Sequence, residues 1–286
     1  MLPTFIVAGA AKSGTTAIWN YLRTHPEICV SWMKEPNFFI TSIPNARYQK
    51  GLAWYESLFR PTQSTKAIGD VSPSYMTCQE SPQLIFQTLP KVQLLFIFRD
   101  PVERIYSQYR YALHRGLDLP SFEQFVGKRH PYLEQAIHNS SYHLHIKRYL
   151  DVFPEEQVLI WLYEDWRNDP VAFMRSIYQS LGVSTDYIAP DLGVRYNRTQ
   201  IARFPRMQRL LGLTGRKVMS ITMHPWLFSF LREVRSKLWQ LNSVKNQPTS
   251  MSPALRQELV EEMAETISAI EKYLYRPLPA WREINS

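Results

Sequence analysis

Short, continuous apolar runs alternate with helical patterns over the first two thirds of the chain. Apolar residues at helical spacing occupy the segments 15–24, 54–59, 82–89, 102–114, 141–153 and 171–181. Between them lie runs that we interpret as buried strands, because they are bounded by turn residues and lack polar alternation: Phe5–Ala8, Ala67–Gly69, Leu94–Phe98 and Val158–Leu162. This order predicts an α/β fold, in which helices cover both faces of a central parallel sheet.

The hydrophobic pattern changes in the last third of the chain. Between residues 203 and 241, aromatic residues and methionines are mixed with lysines and arginines, and no strand is predicted. We interpret the segment of about 200–245 as a helical lid-like insertion that faces the substrate. Ordinary packing of this segment against the sheet is the alternative.

A final helix is predicted over residues 253–274. Ser252 precedes it as the N-cap and Pro253 occupies its first position, which is a typical helix start. We therefore predict a single domain over residues 1–286. Its core comprises about 1–182 and 252–286.

Composition narrows the class of protein. The 286 residues carry a net charge of +8 and an isoelectric point of about 9.4, which favours an anionic ligand or partner. Two cysteines are too few for a disulfide framework or a zinc site. The N-terminal apolar run precedes a glycine-rich loop, so we interpret it as a buried strand rather than a secretory signal. We expect a cytoplasmic protein.

The segment Gly9–Thr16, GAAKSGTT, lies between the first predicted strand and the first predicted helix. Such a turn directs backbone N–H groups and the positive end of a helix dipole at one point, where a phosphate can bind. The hydroxyls of Ser13, Thr15 and Thr16 can donate to the same oxygens. The lysine stands at position 12, before the second glycine, whereas a nucleoside-triphosphate loop has its lysine and a Mg²⁺-binding hydroxyl after it. A lysine so placed suits a donor whose transferred group hangs on a single 5′-phosphate.

This loop resembles that of the sulfotransferases that use 3′-phosphoadenosine 5′-phosphosulfate (PAPS). The resemblance implies a P-loop-like three-layer α/β fold related to that of nucleotide kinases, with a central parallel sheet flanked by helices. It also implies PAPS as donor, 3′-phosphoadenosine 5′-phosphate (PAP) as product and no metal ion. By this match Lys12 is the catalytic lysine, which stabilises the leaving phosphate. The donor-binding residues of the loop are then Ala11, Lys12, Ser13, Gly14, Thr15 and Thr16.

A second match covers residues 96–111, FIFRDPVERIYSQYRY, where a strand ends at Arg99 and a helix bearing Ser107 follows. In the family, such a unit binds the 3′-phosphate of the donor, for which a guanidinium fork is well suited. The segment Leu162–Asp165 resembles the Tyr-Glu-Asp segment through which many members contact adenine, which implies that role for Tyr163. For each residue alone the alternative is structural: a salt bridge, an exposed serine and a core tyrosine.

The acceptor side is indicated by Lys34–Phe39, KEPNFF, and Lys50–Tyr55, KGLAWY. They resemble the E-x-x-F-F and K-G-x-x-W-Y segments of carbohydrate sulfotransferases, including those acting on heparan sulfate. By this match Glu35 is the general base. Lys34 beside it is a candidate for substrate binding, or could instead oppose a rise of the Glu35 pKa. A free glutamate, with a pKa of about 4.3, is a weak base at pH 7. It therefore needs either burial or an enforced contact with the acceptor oxygen, while pairing with Lys34 or Lys12 is the structural alternative.

The segment Gly69–Tyr75, GDVSPSY, matches a family segment in which heparan-type enzymes usually have a lysine at the position of Val71. That lysine helps to hold the sugar and the base, so its absence argues against a glycosaminoglycan acceptor. By the same match Asp70, Ser72 and Tyr75 are acceptor contacts.

Two other classes remain open: a metal-dependent nucleotide or small-molecule kinase, and a basic nucleic-acid-binding protein. A kinase would need a Mg²⁺-binding hydroxyl directly after a loop lysine, and this pair is missing because Thr15 stands at the lysine position. The positive charge is spread along the chain, which favours neither a nucleic-acid nor a membrane partner. His143 and His145 do not share a helix face, so we predict no metal site. We predict sulfo transfer to a hydroxyl, or an amine, of a small metabolite, natural product or saccharide.

Overall fold

The computed structural model of the chain describes residues 1–192, 201–202, 243–244 and 251–284. A five-stranded sheet runs through it, with all neighbouring strands parallel and in the order β2-β3-β1-β4-β5. Its strands are β1 (Phe5–Gly9), β2 (Ile28–Val30), β3 (Ala67–Val71), β4 (Gln93–Phe98) and β5 (Val158–Leu162). The four predicted strands and the parallel α/β fold are confirmed. The three residues of β2 carry too short an apolar pattern to be predicted.

Helices connect the strands and follow the last of them. They are α1 (Thr15–Thr24), α2 (Gly51–Glu56), α3 (Ser81–Thr88), α4 (Pro101–His114), α5 (Phe122–Gly127), α6 (Pro131–Ser140), α7 (Tyr142–Leu150), α8 (Tyr163–Asn168) and α9 (Pro170–Ser180). The helix predicted over 54–59 begins three residues earlier, because it continues directly from the 3₁₀ turn Arg47–Lys50. Within the described ranges, none of the helices has the length and apolarity to span a bilayer.

The lid-like segment predicted over about 200–245 lies almost wholly outside the described residues. Of it, the structure describes β6 (Ile201–Ala202) and β7 (Ser243–Val244), which pair antiparallel. The final predicted helix is present as two, α10 (Pro253–Glu262) and α11 (Ala264–Leu274), separated at Met263. Its N-cap is confirmed, since the backbone N–H of Leu255 donates to Ser252 Oγ at 3.3 Å.

Both faces of the sheet are covered by side chains. On one face Phe5 and Val7 of β1 pack with the apolar side of α1 and with α9. On the other face, Phe98 stacks on Tyr142 of α7 at 4.1 Å between ring centroids, and Phe96 meets Tyr149 at 5.0 Å. This double cover explains why the strands are continuously apolar, which was the basis for predicting a parallel sheet.

The described chain divides into two compact units. The first is Met1–Arg104, Asn139–Asn197 and Met263–Arg282, and the second is Ile105–His138, Arg198–Glu262 and Glu283–Ser286, each in its described parts. The first unit contains the whole five-stranded sheet and the loops at its carboxyl edge. From β1 the chain continues to β2 on one side of the sheet, and from β4 it continues to β5 on the other side. Open α/β sheets bind ligands in the crevice at the carboxyl ends of two such neighbouring strands.

Candidate active site

The predicted phosphate loop joins β1 to α1, as expected. Gly14 is the N-cap of α1 with φ of +82°, a conformation that favours glycine. A Cβ at this position would lie 3.1 Å from Trp166 Cζ3 and 3.3 Å from the ring of Tyr163. Ser13 is 1% exposed, and within the described residues its Oγ has no hydrogen-bond partner. The loop therefore holds an unsatisfied buried hydroxyl beside a helix N-terminus, which suits an anionic oxygen.

Lys12 lies in this loop among other charged side chains. Burial, together with the nearby cations Arg104, Arg99 and Lys34, lowers its pKa to about 8, while Glu35 opposes this shift. A half-buried ammonium surrounded by guanidinium groups is electrostatically unfavourable without an anion. The charge distribution therefore indicates an anion site at Lys12, formed by the segments that follow β1, β2 and β4.

Arg99 lies at the carboxyl end of β4, where its backbone is fixed from two sides. Its carbonyl accepts a hydrogen bond of 2.8 Å from the Tyr142 hydroxyl, and the next amide, Asp100 N–H, donates to Glu164 Oε1 at 3.0 Å. The guanidinium donates from Nη2 to Glu103 Oε2 at 2.9 Å and is 19% exposed. The predicted structural alternative, a salt bridge, is thus present, and a bound phosphate would share or replace Glu103 as its partner.

Tyr163, the predicted adenine contact, lies at the carboxyl end of β5 as the first residue of α8. The guanidinium carbon of Arg99 is 5.0 Å from its ring centroid, and its ring also packs against Gly14 and Trp166. Three residues predicted from separate motifs, in the loop and after β4 and β5, are therefore neighbours. Ser107 lies in α4, as predicted.

Glu35, the predicted base, precedes a buried aromatic pair but is not itself buried. Its side chain is 38% exposed, and Oε1 accepts a hydrogen bond of 2.6 Å from Lys34 Nζ. The structure therefore supports the pairing considered from the sequence rather than desolvation of the carboxylate. Enforced geometry is the remaining way for Glu35 to act as an effective base.

Asp70, Ser72 and Tyr75 are predicted to contact the acceptor, but the structure buries all three at 0% exposure. Their polar groups bond to each other: Ser72 Oγ and the Tyr75 hydroxyl donate to the Asp70 carboxylate at 2.7 and 2.8 Å. Burial raises the Asp70 pKa to about 6, and these donors oppose the rise. Because no surface of these side chains is accessible, their arrangement favours an internal role instead of acceptor contact. Val71 also lies at 0% exposure, in the apolar core.

A comparison with family models decides the identity. A model described as "Sulfotransferase domain" matches residues 2–269. The chain belongs to the sulfotransferase family.

Similar proteins agree with this assignment. The mouse (Mus musculus) heparan sulfate glucosamine 3-O-sulfotransferase 3B1 is 32% identical over 216 residues, which cover 74% of this chain and 53% of the relative. Mouse bifunctional heparan sulfate N-deacetylase/N-sulfotransferase 4 is 30% identical over 65% of this chain and 23% of its own length. The chain thus spans about half of the length of the first of these relatives and about a quarter of the length of the second.

A solved structure resembles the whole sulfotransferase fold described above. The sulfotransferase from Alicyclobacillus acidocaldarius is 25% identical, with a TM-score of 0.71, and the match covers 99% of this chain and 100% of that one.

Sequence reasoning missed two side chains of this sulfotransferase site. Arg104 is 1% exposed, donates to Ser140 Oγ at 3.0 Å and contributes to the field at Lys12. Trp166, in α8, packs against Gly14. A buried arginine on an amphipathic helix has no sequence signal of its own, whereas Trp166 could have been noticed three residues after Tyr163, one helical turn along.

The histidines of α7 are engaged in hydrogen bonds rather than grouped around a metal site. His143 Nδ1 lies 2.7 Å from Thr266 Oγ1, and His145 Nδ1 lies 2.7 Å from Arg148 Nη2. Across the described ranges, no group of three or more His, Cys, Asp or Glu side chains is placed to hold a metal ion.

Proposed function

We propose that this sulfotransferase transfers the sulfo group of PAPS to a hydroxyl or amine acceptor by in-line displacement. The observation that carries the proposal is the convergence of Lys12, Arg99 and Tyr163 on the loop around Gly14. Cations, loop amides and an aromatic ring are the groups needed to hold an adenine nucleotide with phosphates at two positions.

The residues present fit this donor. The buried Ser13 Oγ has no partner in the described chain, and the cations around Lys12 have more positive charge than Glu35 offsets. The loop would hold the 5′-phosphosulfate, Arg99 with Ser107 the 3′-phosphate, and Tyr163 the adenine. When bound, PAPS supplies the sulfo group and a phosphate on which negative charge increases during transfer.

The residues of the chain then have two tasks. Lys12, with Arg104 nearby, stabilises the charge that develops on the leaving phosphate oxygens. Glu35, in the loop after β2, removes the acceptor proton as the new bond forms. Lys34, whose Nζ lies 2.6 Å from Glu35 Oε1, is placed to orient the carboxylate or to contact an anionic acceptor.

Nucleotide binding without Mg²⁺ tests the proposal against the kinase alternative. PAP should raise the melting temperature of the protein in EDTA, because the binding groups are cations and amides rather than a metal. ATP lacks the 3′-phosphate and should raise it much less. Stabilisation by ATP that requires Mg²⁺, with none by PAP, would contradict the proposal and favour a kinase.

Affinity for PAP should fall as the pH rises through 8. Because Lys12 has a pKa of about 8 in the free protein, a bound anion raises that pKa and the complex takes up a proton. Above pH 8 this uptake weakens binding by up to about tenfold per pH unit. Calorimetry in buffers of different ionisation enthalpy measures both the affinity and the proton uptake, and phosphate groups, with a second pKa of about 6, no longer titrate there.

Replacing Arg99 by alanine should weaken PAP binding about 10- to 100-fold, because charge-assisted hydrogen bonds to the phosphate are lost. Turnover at saturating PAPS should change little, since the 3′-phosphate is remote from the transferred group. Arg23→Ala is the matched control, because Arg23 lies over the Trp19 ring, 5.0 Å from its centroid, on the surface of α1. Equal PAP affinity in Arg99→Ala and wild type would mean that Arg99 does not bind the nucleotide.

The acceptor is proposed to be a saccharide or a small metabolite. A saccharide acceptor is supported by the similarity to a heparan sulfate glucosamine 3-O-sulfotransferase. Val71 argues against a glycosaminoglycan, because this buried valine stands where heparan-type enzymes usually have a lysine. A screen with radiolabelled PAPS should compare N-sulfated heparan oligosaccharides, simple glycosides, phenols and amines. A cytoplasmic location and the lack of nucleic-acid or membrane partners remain predictions from the sequence.

A further inference from the structure

The loop that carries Glu35 has an unfavourable backbone conformation. Glu35 and Asn37 have φ of +54° and +50°, in the left-handed region that L-residues other than glycine seldom adopt. Such conformations persist only where the surroundings fix them, and they are concentrated at functional sites. The contacts that fix this loop therefore determine where the Glu35 carboxylate lies.

Ser72, Tyr75 and Tyr55, whose hydroxyls all donate to the Asp70 carboxylate, contact this loop. Asn37 N–H donates to Ser72 Oγ at 3.0 Å, and Phe39 N–H donates to the Tyr75 hydroxyl at 3.4 Å. Between them, the Phe38 ring stacks on Tyr55, with centroids 4.4 Å apart and an interplanar angle of 8°. The loop is thus held at three successive residues.

The three side chains that hold the loop, which we call its anchors, all donate a hydrogen bond to one carboxylate. The hydroxyls of Ser72, Tyr55 and Tyr75 donate to Asp70, at 2.7 Å to Oδ1 and at 2.8 Å each to Oδ2. An ionised carboxylate accepts hydrogen bonds through both oxygens and donates none, so it can orient three hydroxyls at once. Each hydroxyl of Ser72 and Tyr75 then has its lone pairs available for the loop amides.

Arg47 supports the same loop from its other side. Its Nη1 donates to the carbonyls of Glu35 at 2.8 Å and of Pro36 at 2.6 Å. Its charge also favours the ionised form of Asp70, opposing the effect of burial on the Asp70 pKa. Hydroxyls, a stacked ring and a guanidinium therefore fix the loop around one buried anion.

We propose that Asp70 is a positioning residue that holds the Glu35 carboxylate in place by fixing residues 37–39 through Ser72, Tyr55 and Tyr75. The inference rests on the proposed function, in that it takes Glu35 as the base. It assigns a role to the buried GDVSPSY segment that acceptor binding cannot supply. It also explains how an exposed glutamate can act through enforced geometry.

Asp70→Asn tests this role with little change in shape. The amide keeps one acceptor oxygen and places an N–H group against a hydroxyl, so the anchors are released. We expect turnover to fall about 10²-fold, with the PAP dissociation constant unchanged within twofold. In hydrogen-exchange mass spectrometry of the PAP complex, the peptide containing Asn37 and Phe39 should exchange faster than in the wild type.

Glu80→Gln is the matched control. The Glu80 carboxylate accepts from the backbone N–H groups of Thr41 and Ser42, at 3.0 and 2.9 Å, so it anchors the adjacent stretch of the same loop without reaching residues 35–39. This variant should keep turnover and the exchange of residues 37–39. Equal loss of turnover in both variants would mean that any disturbance of the region matters, and would contradict a specific role of Asp70.

A double-mutant cycle separates positioning of Glu35 from other effects. If Asp70 acts through Glu35, Asp70→Asn should reduce the turnover of Glu35→Gln no further. Multiplicative losses, unchanged exchange at residues 37–39, or a weakened PAP affinity would each overturn the proposal. Probe acceptors are N-sulfated heparan oligosaccharide and 4-methylumbelliferone; if neither accepts sulfo, the exchange measurement alone decides.

The proposal and the function on which it rests can fail separately. If the wild type binds no PAP, or if Glu35→Gln retains full turnover, the proposed function or its base is wrong whatever Asp70 does. If Asp70→Asn does not fold, Ser72→Ala and Tyr55→Phe each remove one anchor. Faster exchange of residues 37–39 in either of these supports the network, and unchanged exchange in both contradicts it.

Discussion

Replacing Lys12 by alanine should lower sulfo transfer about 10³-fold at saturating donor. The reason is the loss of the cation that opposes charge on the leaving phosphate; removal of a single preorganised donor from such a position costs about 10²–10³-fold in turnover. The measurement is transfer from radiolabelled PAPS under single-turnover conditions. PAP affinity should change less than turnover, because Arg99 and the loop amides remain.

The same substitution should leave the fold at least as stable as in the wild type. Burial and the cations Arg104, Arg99 and Lys34 lower the Lys12 pKa to about 8 from 10.5, so the folded state binds the proton more weakly than the unfolded state. Between these two values the unfolded state carries more protons, and stability rises with pH; below pH 8 the charge of Lys12 destabilises the free protein. Urea unfolding below pH 8 should therefore show an equal or higher midpoint for Lys12→Ala.

Lys147→Ala provides the control for the loss of a lysine. Lys147 is 72% exposed and pairs with Asp151 four residues on, so neither turnover nor stability should change appreciably. If Lys12→Ala kept wild-type turnover, the displaced lysine of the loop would have no catalytic role, and the interpretation of GAAKSGTT would fail at its central residue.

The sequence predicted the sheet well because a parallel sheet buried on both faces leaves a strong pattern. Phe5–Gly9 and Gln93–Phe98 are almost continuously buried, and their apolar runs could not be mistaken for alternating strands. The break of the final helix at Met263 could not be predicted, since neither glycine nor proline marks it. Met263 is buried, with only 2% of its surface exposed, so tertiary packing rather than local propensity sets the helix ends there.

The candidate site was predictable where parallel topology alone brings residues together. Lys12, Arg99 and Tyr163 follow the ends of β1, β4 and β5, and adjacent parallel strands present those ends at one edge. The partners of polar side chains were not predictable. Whether Asp70 faces an acceptor or three hydroxyls depends on the placement of Tyr55, fifteen residues earlier in sequence and on another element.

Replacing Glu35 by glutamine should reduce transfer about 10²–10⁴-fold, the contribution of a general base, while PAP binding stays as in the wild type. Glutamine keeps the size of the side chain but accepts no proton, and the backbone contacts from Arg47 to Glu35 and Pro36 do not involve the carboxylate. The loss should shrink for acceptors of lower pKa, because a phenol needs less help in deprotonation than an aliphatic hydroxyl. A series of substituted phenols measured with both proteins gives this dependence.

Glu56→Gln is the control for the loss of a carboxylate in this part of the chain. Glu56 is 43% exposed, close to the 38% of Glu35, and pairs with the N-terminal ammonium instead of a site residue. Its substitution should leave transfer unchanged. If Glu35→Gln instead lowered transfer equally for acceptors of every pKa, the carboxylate would be acting on the donor through Lys34 or Lys12, and the proton would have to leave by another route.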